Sequence, residues 1–153
     1  MNDVGAVRAL WVKRARLGPM DPTDQVEMVP NMGIRGNADQ GGSRQVTVIQ
    51  EEVFDVLEDA LGPRVDPAMR RANVMVRGLD LRESRGKILH LGDCRILLGG
   101  ETVPCERMDE ALEGLRDALR PEWRGGCFGR VLSGGRVRIG DPARLAEGGE
   151  VPV

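Results

Sequence analysis

Hydrophobic positions along this chain recur in short alternating stretches, and glycine or proline ends most of them. The stretch from Val4 to Val12, "VGAVRALWV", is rich in strand-forming residues, and Val26 to Val29 is a second short candidate. The 153 residues include 21 glycines and 9 prolines, so breaks come at close intervals. Short strands separated by turn residues are typical of a β-barrel or a β-sandwich. The pattern therefore predicts a mainly β fold.

A third strand is predicted in "RQVTVIQ", from Arg44 to Gln50, where both faces carry apolar residues. Val46 and Val48 share one face, and Ile49 lies on the other. A strand with one solvated face would show a polar residue at every second position. This strand is therefore expected to be covered on both sides.

Two stretches follow the period of an α-helix instead. The first, "EEVFDVLEDALGP", ends at Gly62-Pro63, and its expected apolar face consists of Val53, Val56, Leu57, Ala60 and Leu61. The second runs from Arg107 to Leu119 and ends before Pro121, with an expected apolar face of Met108, Ala111, Leu112, Leu115, Ala118 and Leu119. The chain is therefore predicted to contain two helices.

Two similar segments predict two β-hairpins. "GKILHLGDCRI", from Gly86 to Ile96, and "GGRVRIGDPARL", from Gly134 to Leu145, each contain a glycine, a short strand, a Gly-Asp turn and a resumed strand. Glycine and aspartate suit tight turns because they tolerate the required backbone angles and local hydrogen bonds. After Leu145 little remains to be buried, so residues 146–153 are predicted to form a short frayed tail.

Length, charge and cysteine content narrow the class of protein. The length suits one domain, expected to span residues 1–145. A net charge of −2 disfavours a dedicated nucleic-acid binder, and no apolar run approaches the ~20 residues of a membrane span. Three cysteines without a signal-like apolar start predict free thiols and a cytoplasmic location. Neither a membrane nor a nucleic acid is an expected partner.

Cys105 is the first candidate for chemistry, because it lies in a connection just before the second predicted helix. The positive end of that helix and Arg107 would favour the thiolate. Three acids in the first helical turn would oppose it by like-charge repulsion; they are Glu106, Asp109 and Glu110. Two interpretations stay open, a functional thiol and a loop cysteine without a function.

The other cysteines and the single histidine are expected to be structural. Cys94 and Cys127 lie within predicted strands, where a free cysteine packs as a small hydrophobe. His90 lies with Ile88 on one strand face, which favours a hydrogen-bonded structural role over a general base. A Cys-His nucleophile and a zinc site of ordinary ligand spacing are therefore disfavoured.

Two arginine-bearing segments could bind an anion. In "GIRGNADQGGSRQ" backbone amides are flanked by Arg35 and Arg44, and "MRRANVMVRGLDL" joins Arg70, Arg71 and Asn73 to a strand. A flexible surface loop and a solvated strand end explain the same residues equally well. Neither segment decides a function by itself.

Taken in order, the segments resemble the MOSC domain, named for the C-terminal domain of molybdenum cofactor sulfurase. The matching pieces lie between Gly33 and Asp141 and are "GIRG", "RQVTVI" with its helix, "RRANVMVRGLDL", "GKILHLGDCRI", "PC", "RGGCFGRVL" and "GGRVRIGD". The chain departs from many members by having Gly36, Asn37, Ala38 and Asp39 where a histidine closely follows Gly-Asp. The start, "GAVRALWVKRARLGPM", is similar to that of small stand-alone members.

The resemblance implies a fold and a chemistry. The fold is a closed β-barrel of mixed topology, related to the barrel domain of pyruvate kinase, with two or more peripheral helices. The family's characteristic cysteine matches Cys105, which would carry sulfur as a persulfide or ligate molybdenum in a molybdopterin cofactor. A soft thiolate suits both roles. The reaction implied for reductase members is the reduction of N-hydroxylated compounds.

The resemblance also implies a cofactor pocket and partners. The implied cofactor-binding residues are Arg44, Arg71, Asn73, Arg124 and Arg130, since arginine grips the phosphate of a pterin cofactor. The implied partner is a cysteine desulfurase or an electron-donor protein. Two alternatives remain open: a non-enzymatic sulfur carrier or partner-binding module without a cofactor, and a barrel that has lost its site.

Overall fold

The computed structural model describes residues 4–147 and confirms a mainly β fold with peripheral helices. In chain order its strands are β1 (Gly5–Lys13), β2 (Met20–Thr23), β3 (Gln25–Val29), β4 (Gly33–Ile34), β5 (Val46–Gln50), β6 (Val74–Arg77), β7 (Ile88–Leu91), β8 (Cys94–Glu101), β9 (Cys127–Ser133), β10 (Gly135–Arg138) and β11 (Pro142–Ala146). The α-helices are α1 (Glu51–Leu61), α2 (Glu106–Ala111) and α3 (Leu115–Leu119), and 3₁₀ turns span Pro67–Arg70 and Pro121–Trp123.

Seven strands close into a barrel in the order β11-β7-β8-β9-β5-β6-β1. Closure comes from antiparallel pairing of β1 with β11, where Gly5 lies opposite Ala143. The β5–β6 pair is parallel, and α1 belongs to the crossover that joins these two strands. All other ring pairs are antiparallel, so the predicted mixed topology is confirmed.

Only one of the two predicted hairpins forms. β7 and β8 pair through a tight turn, with Leu91 opposite Cys94. The second prediction is wrong, because β10 and β11 do not pair with each other. β10 pairs with β3 in a separate three-stranded sheet, and β11 joins the barrel between β7 and β1. The same Gly-Asp signal therefore precedes a change of sheet, in which the Asp141 carboxylate accepts a hydrogen bond from the Arg138 amide at 2.8 Å.

The core has two parts on the two sides of the barrel wall. Alternate residues of the ring strands fill the interior, among them Val7, Val48, Val74, Ile96 and Val131. A second cluster lies between the outer wall and the helices and includes Trp11, Ile49, Met75, Phe54, Leu57, Met108, Leu115 and Leu119. The prediction that β5 is covered on both sides is confirmed, and the helices are held on the β1–β6–β5 side.

The buried face of α1 differs from the predicted one. Phe54 and Leu57 are its buried residues, whereas Val56 is 49% exposed and Ala60 is also exposed. Phe54 belongs to the cluster that contains Ile49, and burial of this large aromatic side chain turns Val56 outward. The helix itself is where the sequence predicted it.

The second predicted helix is broken in two, so that prediction is corrected. Gly114 has a φ of +88°, outside the right-handed helical region, and Leu112 is extended. The break reorients the chain while Met108 of α2 and Leu115 of α3 reach the same apolar cluster. A single straight helix would match the periodicity, but packing of both pieces on the barrel overrides it.

At the carboxyl end β11 runs to Ala146 and so includes the first residue of the predicted tail. Residues 148–153 of that tail lie outside the described residues. Among residues 4–147, no helix has the length and apolar character needed to cross a membrane.

Candidate functional site

Cys105 is the exposed cysteine of the described chain, and it lies between β8 and α2. It occupies the N-cap position of α2 with an extended backbone, and its carbonyl oxygen accepts a hydrogen bond from the Met108 amide at 3.0 Å. Cys94 and Cys127 are both buried, as predicted for packing residues. Burial raises the pKa of Cys94 to about 11 and that of Cys127 to about 12, so both remain neutral thiols near pH 7.

Cys105 opens into a cavity of about 330 Å³, here called the thiol cavity. Its other lining residues are Lys13, Arg16, Leu17, Asp39, Arg70, Arg71, Arg107 and Met108. Lys13 pairs with the single carboxylate, that of Asp39, at 2.9 Å. Four arginines therefore remain around the thiol without a carboxylate in the lining to balance them, and the cavity favours anions.

Arg70 is the buried member of this arginine group. It is 7% exposed, and its guanidinium donates to two carbonyl oxygens, from Nε to Gly125 at 2.8 Å and from Nη2 to Thr102 at 3.1 Å. The remaining nitrogen, Nη1, has no hydrogen-bond partner among residues 4–147 and is accessible rather than sealed. Arg70 lines the thiol cavity and keeps one guanidinium nitrogen without a partner in the described chain.

The surroundings of Arg70 set its electrostatics. Burial lowers the pKa of Arg70, the charge of a Cys105 thiolate acts in the opposite direction, and nearby Arg44 lowers it further. Its hydrogen-bond acceptors are neutral carbonyls, and no carboxylate of the described chain pairs with it. A buried cation is costly unless an anion compensates it. Cys105, once ionised, is an anion in a position to do so.

Arg71 is the predicted cofactor residue that the structure brings together with Cys105. It caps the 3₁₀ turn Pro67–Arg70 with a φ of +63°, an angle at which a side chain is strained. Its Nη2 donates to the Gly18 carbonyl at 2.6 Å, which ties the loop that carries Arg16 to the cavity.

Asn73 is buried, and its hydrogen bonds hold the fold together. At 4% exposed, its Oδ1 accepts from the amide and the hydroxyl of Thr47, and its Nδ2 donates to Trp11 O and to Asn37 Oδ1. All of these partners belong to the protein. Asn73 therefore joins β5, β1 and the glycine-rich loop, and it does not line the thiol cavity.

Three other predicted cofactor residues lie outside the lining of the thiol cavity. Arg44 stacks on the ring of Phe128, with 4.9 Å between its Cζ and the ring centroid. Arg130 lines a different cavity on the β8–β9 wall, and Arg124 lines a third one and donates to the Ala118 carbonyl at 3.1 Å. The long β9 strand separates positions that sequence proximity had grouped together.

The glycine-rich loop is anchored. The Lys13 amide donates to Asn37 Oδ1 at 2.8 Å, and the Gln40 amide group donates to the carbonyls of Ile34 and Asn37. These contacts place Asp39 in the lining of the thiol cavity. His90, on β7, is not part of that lining.

Sequence reasoning missed several residues of the thiol cavity. Lys13 is the last residue of β1, Arg16 and Leu17 lie in the segment that follows, and the sequence gives Arg107 no signal beyond its local charge. Arg70 was noticed beside Arg71, but the sequence does not show which of two adjacent arginines is buried. The one sequence signal for this site is the Arg70-Arg71 pair, which lies shortly before a predicted strand.

Comparison with protein-family models identifies the family of this chain. The model of the MOSC domain matches residues 31–144, well over half of the chain. The chain belongs to the MOSC domain family. The sequence-based resemblance is thereby confirmed, and this family is associated with molybdenum cofactor.

Solved structures show the same fold at low sequence identity. The YuaD protein from Bacillus subtilis aligns with a TM-score of 0.80 at 20% identity, covering 94% of this MOSC chain and 96% of that one. YiiM from Geobacillus stearothermophilus aligns with a TM-score of 0.77 at 19% identity, covering 94% and 75%. YiiM from Escherichia coli gives 0.71 at 16% identity, covering 93% and 70%. A comparison with curated proteins finds no match.

The residues of the thiol cavity fit a molybdenum cofactor in charge and in donor type. An accessible thiol is a suitable ligand for a soft metal, and arginines suit a phosphate. Among residues 4–147 no group of three or more His, Cys, Asp or Glu is arranged to hold a metal ion. Leu17 and Met108 offer apolar surface beside the charges.

Proposed function

We propose that this MOSC protein binds a molybdenum cofactor in the thiol cavity, with the Cys105 thiolate as the protein ligand of the metal. One observation carries the proposal: an exposed thiol shares a cavity with Arg70, a buried cation that has no carboxylate partner in the described chain. The positive charge of Arg70 beside the sulfur suits an anionic cofactor, and a cysteine sulfur is a suitable ligand for a soft metal.

The residues of the cavity divide into two roles. Arg70 supplies a positive charge from the buried side, and its bonds to Thr102 and Gly125 fix its position. Arg16, Arg71 and Arg107 line the same cavity and supply guanidinium groups for the phosphate of the cofactor. A bound molybdenum cofactor would supply two-electron redox chemistry, such as the reduction of N-hydroxylated compounds.

The experiment that tests this function is a measurement of molybdenum content. The full chain is expressed in a host that makes the cofactor, and metal per protein is measured for the wild type and for Cys105→Ser. Cys94→Ala serves as a matched control, because Cys94 is buried away from the cavity. We expect molybdenum in the wild type and the control and a loss of at least about tenfold in Cys105→Ser. No molybdenum in the wild type, or equal amounts in all three proteins, would contradict the proposal.

A second candidate function is sulfur carriage, and it is favoured by the exposure of Cys105 to incoming protein thiols. In this reaction the Cys105 thiolate attacks the terminal sulfur of a persulfide on a donor such as a cysteine desulfurase. A new S–S bond forms at Cys105, the donor's S–S bond breaks, and the donor cysteine leaves as a thiolate.

Mass spectrometry separates the two functions. After incubation with a cysteine desulfurase and cysteine, sulfur carriage adds the mass of one sulfur atom, ~32 Da, to the peptide that contains Cys105. The same treatment should leave Cys94 and Cys127 unmodified, because both are buried. Absence of the added mass from Cys105 would remove this second candidate.

A further inference from the structure

A second group of arginines lies outside the thiol cavity, on another part of the barrel wall. Arg85 and Arg130 line a second cavity, of about 540 Å³, together with Asn31, Ser43, Leu97 and Gly99. We call this cavity the arginine groove. It shares no lining residue with the thiol cavity, so its chemistry is to be explained independently.

The arginine groove carries positive charge that the protein does not neutralise. Its lining includes no carboxylate. Arg85 and Arg130 are exposed, and neither makes an ion pair or a side-chain hydrogen bond with any residue in the described part of the chain. Two unpaired guanidinium groups around one depression favour an anion, and their planar donors suit phosphate or carboxylate.

The floor of the groove is apolar and is shaped by a bulge in β8. The register of β8 against β9 shifts between Leu98 and Gly100, which leaves Gly99 as the extra residue. A Cβ atom at Gly99 would lie 2.6 Å from Cε1 of Phe128, so only glycine allows the ring to approach this closely. Leu97 and Leu98 extend the apolar surface beside it.

Arg44 contacts the Phe128 ring next to the arginine groove. It follows Ser43, a lining residue of the groove, and its guanidinium lies over the Phe128 ring. The Arg85 guanidinium comes close to Gly100, since a Cβ there would lie 3.1 Å from its Nη2 and 3.5 Å from Cε2 of Phe128. The Phe128 ring thus has Arg44 over it, and Arg85 and the Phe128 edge both come close to Gly100. In the groove itself, apolar surface from Leu97 and Leu98 lies beside the donors of Arg85 and Arg130.

We propose that the arginine groove is a second binding site, for a small anionic ligand that carries a phosphate or carboxylate on a flat apolar body. Arg85 and Arg130 bind the anionic group, and Leu97, Leu98 and Gly99 contact the body. The site does not include Cys105, so its test is independent of the test for molybdenum binding. An anion alone would contact only the arginines, and an apolar ring alone would contact only the apolar floor.

The test uses 1-naphthyl phosphate, 1-naphthoate, inorganic phosphate and uncharged 1-naphthalenemethanol as probes, titrated by calorimetry against the full chain. We expect 1-naphthyl phosphate or 1-naphthoate to bind at least about tenfold more tightly than inorganic phosphate or the uncharged probe. Which of the two anionic probes binds more tightly identifies the preferred anionic group. Leu97→Ala should weaken binding of the naphthyl probes, because apolar surface in the lining is lost, without changing the affinity for inorganic phosphate.

Variants of the lining arginines test whether the probes bind in the arginine groove. Arg85→Gln combined with Arg130→Gln should weaken the anionic naphthyl probe about tenfold or more, because both guanidinium groups are lost. Both side chains are exposed and unpaired, so the double variant is expected to fold. Arg64→Gln is the matched control, an exposed arginine that lines neither cavity, and Cys105→Ser should also bind normally. Unchanged binding in the double variant, an equal loss in either control, or no binding by the wild type would overturn the proposal.

Discussion

The buried guanidinium of Arg70 and the exposed thiol of Cys105 share one cavity wall and interact electrostatically. Arg70 is held there by the carbonyl oxygens of Thr102 and Gly125, which accept hydrogen bonds from two of its nitrogens without neutralising its charge. The protein thus places a positive charge behind its accessible sulfur. The same contacts join the 3₁₀ turn before β6 to the segments on both sides of α2 and α3.

The first prediction is that Arg70 makes Cys105 reactive. Arg70→Gln should slow alkylation of Cys105 by iodoacetamide at pH 7 by about tenfold, because the positive charge beside the reacting sulfur is lost. Arg70→Lys keeps the positive charge and should slow the reaction far less. The rates are measured by mass spectrometry of the peptide that contains Cys105.

A loss of folding could imitate this effect, so the Arg70 variants are compared by circular dichroism and urea unfolding. Arg64→Gln is again the control and should react like the wild type. If folded Arg70→Gln reacts as fast as the wild type, Arg70 has no electrostatic role at the thiol.

The second prediction concerns the pH dependence of stability. Burial, with the charges of Asp93 and Asp141, raises the pKa of Cys94 from 9.0 to about 11, and burial raises that of Cys127 to about 12. In the unfolded chain both thiols ionise near pH 9, while in the folded chain they stay protonated. Stability from these groups is therefore complete below pH 9 and is lost as pH rises towards 11, by up to about 1.4 kcal/mol per pH unit per thiol.

Urea unfolding between pH 8 and 11 checks this dependence. Cys94→Ala should show a shallower decline than the wild type, because one of the two titrating groups is absent. In the native protein at pH 8, a thiol reagent should modify one cysteine, and in urea it should modify three. A flat stability profile between pH 9 and 11 would show that the buried thiols are not linked to unfolding.

The third prediction is that Gly125 is needed to place Arg70. A Cβ at this position would collide with the Thr102 carbonyl oxygen and would lie 3.4 Å from Nε of Arg70. Gly125→Ala should lower the free energy of unfolding by about 2–3 kcal/mol, as other overpacking substitutions do. It should also slow alkylation of Cys105, because the clash displaces the contacts that hold Arg70.

Gly41→Ala is the control for Gly125→Ala. Gly41 has a φ of +70° with open space around its Cβ position, so alanine there adds backbone strain of about 1 kcal/mol and no clash. Cys105 should react normally in this variant. Equal effects of the two substitutions on Cys105 would show that the Gly125 contact with Thr102 does not matter for the site.

Local sequence patterns predicted much of the β structure but less of the packing between elements. The strands around Val7, Val26 and Val48 follow from their residue types, and so does the loop position of Cys105. The hairpin expected after Gly134 failed because pairing partners are chosen across the whole barrel, and a turn signal does not specify them.

At the candidate site, too, local sequence patterns do not specify the contacts between distant residues. Cys105 and Arg71 could be predicted from ordered motifs, and both line the thiol cavity. The burial of Arg70 depends on Thr102 and Gly125, residues 32 and 55 positions away, and no local pattern encodes that contact. The break at Gly114 was visible as a glycine, but only the apolar cluster under α2 and α3 explains why the chain turns there.

The most direct test of the account is native mass spectrometry of freshly purified protein after brief treatment with iodoacetamide. The account predicts that molecules carrying the mass of a molybdenum cofactor retain an unalkylated Cys105, while cofactor-free molecules are alkylated at that residue. The buried Cys94 and Cys127 should be unmodified in both populations. Cofactor-bearing molecules that are alkylated at Cys105 would contradict the claim that this sulfur ligates the metal.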